Sequence, residues 1–216
     1  HVYTDALITE ATGYVGNFVT KVTSERGVTE IKHGAAIIAI GADEYKPVEY
    51  LYGEDSRVLT QLELGEKIAK GDERLVNSQN LVMIQCVGCR QEDRNYCARV
   101  CCSHAIKNAL KLKEINPQMD ITIIFRDIRT YGFMEDYYRK ASDTDVKFIQ
   151  YEPADKPSVE AVTAEGRPVL RIAATDPILG QKLAIDADYL VLAAAVIPSA
   201  DNKKISQFFK VPLGLE

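Results

Sequence analysis

The chain has 216 residues, 46% hydrophobic and 26% charged, with a formal net charge of −5. That length can bury one large core or two small ones, and the absence of a basic field excludes non-specific binding to nucleic acid. No apolar run approaches the roughly 20 residues that span a bilayer and no secretory signal is present, so composition points to a soluble, cytoplasmic protein.

Residues 3–40 read as β structure. YVGNFVTKVT alternates toward Val22 and SERG makes a turn. GVTEIKHG then leads into AAIIAIGA, an apolar run through Gly41 and Ala42 that fits a strand covered on both faces. Residues 43–57 hold Pro47, Gly53 and several acids and read as a connection. TQLELGEKIAK, from Thr60 to Lys70, reads as a short helix with Thr60 as N-cap and Glu63 completing a capping box.

A different pattern starts at Leu81. LVMIQC is a buried strand of the parallel type, followed by a cysteine-rich loop. SHAIKNALKLKEIN is helical, with Ile106, Ala109, Leu110 and Leu112 near one face and Asn116-Pro117 as the stop. DITIIFR is a second strand, GFMEDYYRKAS a second helix and DVKFIQY a third strand. This order predicts a βαβαβ unit with a parallel sheet and right-handed crossovers. SVEAVTAEGRPVLRIAA reads as a hairpin around Gly166, and ADYLVLAAAVIPS as a final apolar strand. The chain opens on His1 without a methionine and closes VPLGLE, where Leu215-Glu216 reads as a cloning scar. Both ends suggest a piece cut from a longer protein.

All five cysteines fall between Cys86 and Cys102, spaced Cys86-x10-Cys97-x3-Cys101-Cys102 with Cys89 inside the first gap. Structural disulfides do not suit a chain without a secretory signal, and adjacent Cys101 and Cys102 cannot bridge without strain. Isolated buried thiols account for one or two cysteines, not five in a polar loop. A metal site remains. Zinc sites use two tight Cys-x(2–4)-Cys pairs, and only Cys86-x2-Cys89 has that form. Iron–sulfur clusters accept more varied spacing, so the pattern leans to a cluster and leaves zinc open. The loop holds one glycine, Gly88, where a dinucleotide-binding loop needs several, which argues against NAD(P) at this position. Arg90, Arg94, Arg99, Lys107 and the start of the next helix are placed to offset thiolate charge. His104 reads as a first-turn surface residue rather than a ligand.

The stretches VMIQCVGCR, YCARVCCSHAIKNALKLKE, RDIRTYGFMEDYYRKA and VKFIQYEP together closely resemble the heterodisulfide reductase A-subunit family of iron–sulfur flavoproteins. The resemblance runs from GYVGNF to ADYLVLAAAVIPS and implies a core like thioredoxin reductase. On that basis the fold is α/β: a Rossmann-like three-layer insert flanked by parts of a split FAD-binding domain. Residues 1–45 and 188–216 would belong to the FAD-binding domain, 46–79 to a connection and 80–187 to the insert. The resemblance implies a [4Fe-4S] cluster on Cys86, Cys97, Cys101 and Cys102, which aerobic preparation can destroy. Cys89 departs from the family, which usually has serine there. FAD contacts are implied at Gly41 and Ala42, with Lys107 near the flavin as the catalytic cation. For Arg126, Asp127, Arg129 and Tyr131 the pattern is clear but the role is open: a phosphate grip, a contact between subunits or a loop salt bridge.

The implied function is electron transfer between FAD and [4Fe-4S] clusters in anaerobic energy metabolism. The implied partners are other heterodisulfide reductase subunits, a hydrogenase- or formate-dehydrogenase-type donor, and a second copy in a homodimer. Two alternatives stand beside it: a zinc-stabilised structural or docking module, and a related component of a membrane quinone-interacting complex. The opening GxGxxG of an FAD domain is missing from the sequence, so the chain alone is expected to be inactive.

Overall fold

A computed structural model describes residues 1–214; the expected scar at Leu215-Glu216 lies outside the described residues. The chain divides into two compact units, His1–Asp43 with Ile197 onward, and Glu44–Val196.

The first unit is built on an antiparallel sheet in the order β1 (Leu7–Tyr14), β2 (Asn17–Ser24), β3 (Gly27–His33), with helix α5 (Asn202–Phe209) in the same unit. Its turns fall at Val15-Gly16 and Glu25-Arg26, and Phe18 packs edge-on against Phe209. The run AAIIAIGA is not the expected strand. Residues 35–40 carry no ladder, and Ile37 is 95% exposed. A two-sided apolar strand needs neighbouring strands and a layer on each face. The antiparallel sheet of this unit offers neither along residues 35–40. The short strands β4 (Ala42–Glu44) and β13 (Val196–Pro198) mark the two places where the chain changes unit.

The second unit has three layers. Its centre is a parallel sheet in the order β5 (Val58–Thr60), β12 (Tyr189–Ala194), β6 (Asn80–Val87), β7 (Asp120–Phe125), β8 (Lys147–Gln150). Alternation decides the layers, because successive side chains leave a strand on opposite faces. Leu81 and Met83 of β6, Ile121 and Ile123 of β7 and Val191 of β12 pack on the helices α1 (Gln61–Lys70), α3 (Cys101–Ile115) and α4 (Met134–Asp143). Val82, Ile84, Ile124, Leu190 and Leu192 face the other way, onto Leu170, Ile172 and Ala174. Those belong to an antiparallel sheet of β9 (Ser158–Ala164), β10 (Arg167–Asp176) and β11 (Gln181–Ala187). The β9–β10 turn has Glu165 at φ 51° and Gly166 at φ 77°, the double positive φ that a two-residue hairpin loop demands.

Two sequence boundaries shift. The apolar strand expected to open the return to the first domain is β12, which pairs with β5 and β6 inside the central sheet. The expected connection, 46–79, supplies β5, α1 and the short helix α2 (Glu73–Val76) to that same unit. Backbone pairing overrides sequence order here: β12 fills the slot beside β6 that a parallel crossover leaves open.

Two helix devices fix where the site forms. Thr60 caps α1 through Glu63 N–H, while Glu63 Oε2 accepts from Thr60 N–H at 2.8 Å, so the capping box is complete. Inside the unit, Asn108 of α3 donates to Gln61 O at 3.0 Å and to Gln61 Oε1 at 2.8 Å. Both side chains are buried, and the pair pins α3 to the start of α1.

Candidate metal centre in the cysteine loop

Strand β6 runs into the loop at Cys86, whose φ of 64° turns the backbone sharply, followed by Gly88 at φ 75°. A side chain on Gly88 would collide with the Tyr45 ring, so glycine is required there. The loop is then held at several points. Arg90 N–H donates to Tyr96 O at 3.1 Å, Gln91 and Arg94 exchange backbone hydrogen bonds, and the Tyr96 hydroxyl donates to Val196 O at 2.9 Å. The Arg94 guanidinium lies 4.3 Å from the Tyr45 ring centre.

This path returns the chain to the start of α3 and gathers the thiols. Cys86, Cys89, Cys101 and Cys102 are buried, and Cys97 is half-buried. Cys86 and Cys89 pack with Ala98 and Ala195, and Cys101 and Cys102 with Ala98 and Ala193 of β12. The Cys89 thiol beside it and the nearby Arg90 and Arg126 guanidiniums lower the Cys86 thiol despite its burial. The neighbouring Cys101 and the Arg129 backbone likewise lower the Cys102 thiol. Their partners Cys89 and Cys101 are pushed up, each by the thiolate beside it and by burial. Two of the four buried thiols are thus biased toward the thiolate, the form that binds metal or attacks as a nucleophile.

Helix α3 begins at this group. Val100 gives no side-chain cap and the first turn holds no acid, so its free backbone N–H groups are left for an anion. The RDIRTYG motif arrives from the end of β7: Arg126 and Asp127 both bond to Arg90 of the loop, and Arg129 pairs with Asp127. Sequence reasoning marked this motif without a role. Its signal was the clustering of charge directly after a buried strand.

The other sequence candidates lie apart from the thiols in different ways. Lys107 is on the exposed side of α3 and borders a groove of about 770 Å³ with Ile68 of α1 and Met134 and Tyr137 of α4. His104 is half-buried, and burial followed by the Lys107 charge lowers its imidazole. Arg99 is exposed at φ 66°. Gly41, at φ 68°, and Ala42 belong to the first unit, whereas the cysteines and Lys107 belong to the second. Among the described residues no three His, Cys, Asp or Glu side chains are placed to hold a single metal ion, and no helix is long and apolar enough to cross a membrane.

No family model matches the chain. It is 35% identical over 208 residues to the iron–sulfur A-subunit of the CoB–CoM heterodisulfide reductase of Methanocaldococcus jannaschii, covering 87% of this chain and 30% of that protein. It is 34% identical over 207 residues to the A-subunit of the H(2)/formate:CoB-CoM heterodisulfide,ferredoxin reductase of Methanococcus maripaludis, covering 86% and 30%. The chain thus spans about 30% of the length of these relatives. Among solved structures, the thioredoxin reductase of T. acidophilum matches 97% of this chain and 58% of its own, with a TM-score of 0.51 at 14% identity. The FAD-bound cadaverine monooxygenase DfoA of Erwinia amylovora matches 94% and 55%, with a TM-score of 0.54 at 11% identity. Those two likenesses establish the fold alone. Over the region it shares with its sequence relatives, the chain is similar to heterodisulfide reductase A-subunits and has a thioredoxin-reductase-like fold.

Proposed function

We propose that this chain carries the cluster-binding site of an electron-transferring iron–sulfur flavoprotein of heterodisulfide reductase type. The observation that carries the reading is the gathering of five thiols, four of them buried, at the junction of β6, α3 and a set of arginines. Three of the buried thiols, Cys86, Cys101 and Cys102, with the half-buried Cys97, make a donor set that suits a [4Fe-4S] cluster. Thiolates distributed over a loop and a helix start suit a group larger than one ion. Cys86, Cys97, Cys101 and Cys102 would hold it, with Cys89 as a spare buried thiol near Cys86. When bound, the cluster supplies a one-electron store. The chain's own residues bind it through sulfur, exclude water with Ala193 and Ala195, and offset its negative charge with Arg90, Arg126 and the α3 N-terminus.

In the longer proteins of this family the second cofactor would be FAD, touching Gly41 and Ala42, with Lys107 as a cation near the flavin. The name of the relative from Methanococcus maripaludis pairs H(2) or formate with a heterodisulfide and ferredoxin. It supports a partner set of sister subunits with a hydrogenase- or formate-dehydrogenase-type donor.

The test is anaerobic reconstitution of the chain with iron and sulfide. The expected result is bound iron and sulfide with a broad absorption band near about 400 nm, the signature of thiolate-ligated clusters. Cys97→Ser and Cys101→Ser should abolish retention, and Cys89→Ser should leave it intact. Loss of iron in Cys89→Ser together with retention in Cys102→Ser would overturn the ligand set. Zinc uptake without iron would instead identify a structural or docking module.

A further inference from the structure

The ligand reading leaves RDIRTYG unexplained, although this motif sits against the thiols. We infer that Asp127 is a positioning residue that ties the two halves of the thiolate site together, holding Arg90 on the Cys86 side and the 126–129 backbone on the Cys102 side. The inference rests on the cluster reading above and deepens it.

The geometry is a closed circuit. Arg90 Nη1 is paired with Asp127 Oδ1 and lies 3.9 Å from Cys86 Sγ. Asp127 Oδ2 accepts from both Nε and Nη2 of Arg129, each at 3.1 Å. The Asp127 carbonyl is 3.9 Å from Cys102 Sγ. Arg126 Nη1 donates to the Arg90 carbonyl at 2.7 Å, and Gln150 Nε2 donates to the Arg126 carbonyl at 2.9 Å, which anchors the turn to β8. Asp127 thus meets both ends of the site: its carboxylate holds both Arg90, beside Cys86, and the Arg129 side chain, while its backbone carbonyl lies against Cys102. It does so from a third element, the end of β7.

The alternatives fit less well. A grip on a nucleotide phosphate needs guanidinium donors aimed outward, yet Arg126 gives Nη1 to the Arg90 carbonyl and has its Nε buried, and Arg129 is bidentate to Asp127. A bare structural salt bridge does not need to end on two cysteines. Placing a guanidinium against one ligand sulfur favours the more negative, reduced form of a bound cluster. Arg90 would then raise the midpoint potential, and Asp127 would decide whether Arg90 is in place to do so.

The test is a double-substitution cycle, Arg90→Gln and Asp127→Asn, in the full chain reconstituted anaerobically. Midpoint potentials are read by a redox titration followed by electron paramagnetic resonance. Hydrogen exchange of residues 86–102 is read in the metal-free chain. Arg90→Gln should lower the potential. Asp127→Asn acting only as a lost negative charge would raise the potential equally in both backgrounds. As a tie it should shift the potential to a more positive value only when Arg90 is already gone, and less so or in the opposite sense when Arg90 is present. Additive shifts overturn the proposal whatever the exchange result, because a merely structural tie would speed exchange without making one effect depend on the other. Should the native chain take up no iron, the cluster reading fails. Exchange then decides the tie: faster exchange at 86–102 in Asp127→Asn, with β9–β11 unchanged and Asp127→Glu restoring protection, supports it, and unchanged exchange refutes it.

Discussion

The buried pair Gln61–Asn108 offers a sharp test of how the cysteines are held. Asn108 sits in the middle of α3, 1% exposed, and Gln61 opens α1, 3% exposed. Asn108→Leu keeps similar bulk but removes both donors to Gln61, at 3.0 Å to its carbonyl and 2.8 Å to Oε1. The buried Gln61 amide oxygen then loses its donor. A buried acceptor left unpaired costs about 1–3 kcal/mol and the lost second bond about 1 kcal/mol, so the variant should lose ~2–4 kcal/mol. That is a large share of the ~5–15 kcal/mol that holds a typical domain. The double variant Gln61→Met, Asn108→Leu removes both partners and should recover most of the loss, since exchanging a satisfied polar pair for apolar groups is close to neutral. The chain has no tryptophan, so urea unfolding is best followed by circular dichroism and tyrosine fluorescence. The single variant should also retain less iron, because α3 presents Cys101 and Cys102 at its first turn. A single variant within about 0.5 kcal/mol of the native chain, the range of neutral surface changes, would refute the reasoning. So would a double variant no more stable than the single one.

Three further outcomes are expected. On the proposed flavin reading, Lys107→Ala in an FAD-containing form of the protein should lower the flavin midpoint potential by ~20 mV or more, from about 1 kcal/mol of lost charge stabilisation, without changing iron content; an unshifted redox titration would return Lys107 to the surface groove it borders. The chain should show no stoichiometric micromolar NADPH binding by calorimetry, because the loop after Gln85 carries thiols where pyrophosphate needs glycines. Finally, hydrogen bonds from the Arg57 side chain hold the Asp55 carboxyl below the ordinary carboxylate range. A depressed folded value means this contribution is present above the unfolded value of about 3.9 and is lost as pH falls through the lower folded value. Asp55→Asn should therefore flatten the acid limb of stability below about pH 4; an unchanged limb in thermal melts would show that the ion pair is not linked to folding.

Some of this protein is decided locally and is legible in its sequence. The Thr60–Glu63 capping box needs only residues three apart, and it forms as read. The apolar runs of β6, β7 and β12 mark strands buried on two faces, and the period of α3 selects the face carrying Ile106, Ala109 and Leu112. The clustering of five cysteines marks a thiol site wherever the loop ends up. What the tertiary structure alone decides is partnership. AAIIAIGA has the composition of a central strand, yet residues 35–40 stay outside any ladder, because a strand exists only with a neighbour to bond. β12 follows a long antiparallel excursion in sequence but inserts between β5 and β6, since parallel pairing is fixed by the sheet and not by chain order. β11 alternates too weakly to be seen, and becomes a strand because β10 offers it a full register. The same holds at the site. Spacing could place Cys86 near Cys102, but only folding brings Asp127, 37 residues from Arg90, between them. A charge pair that distant in sequence has no local signature, because what selects it is the crossing of β6, α3 and the end of β7.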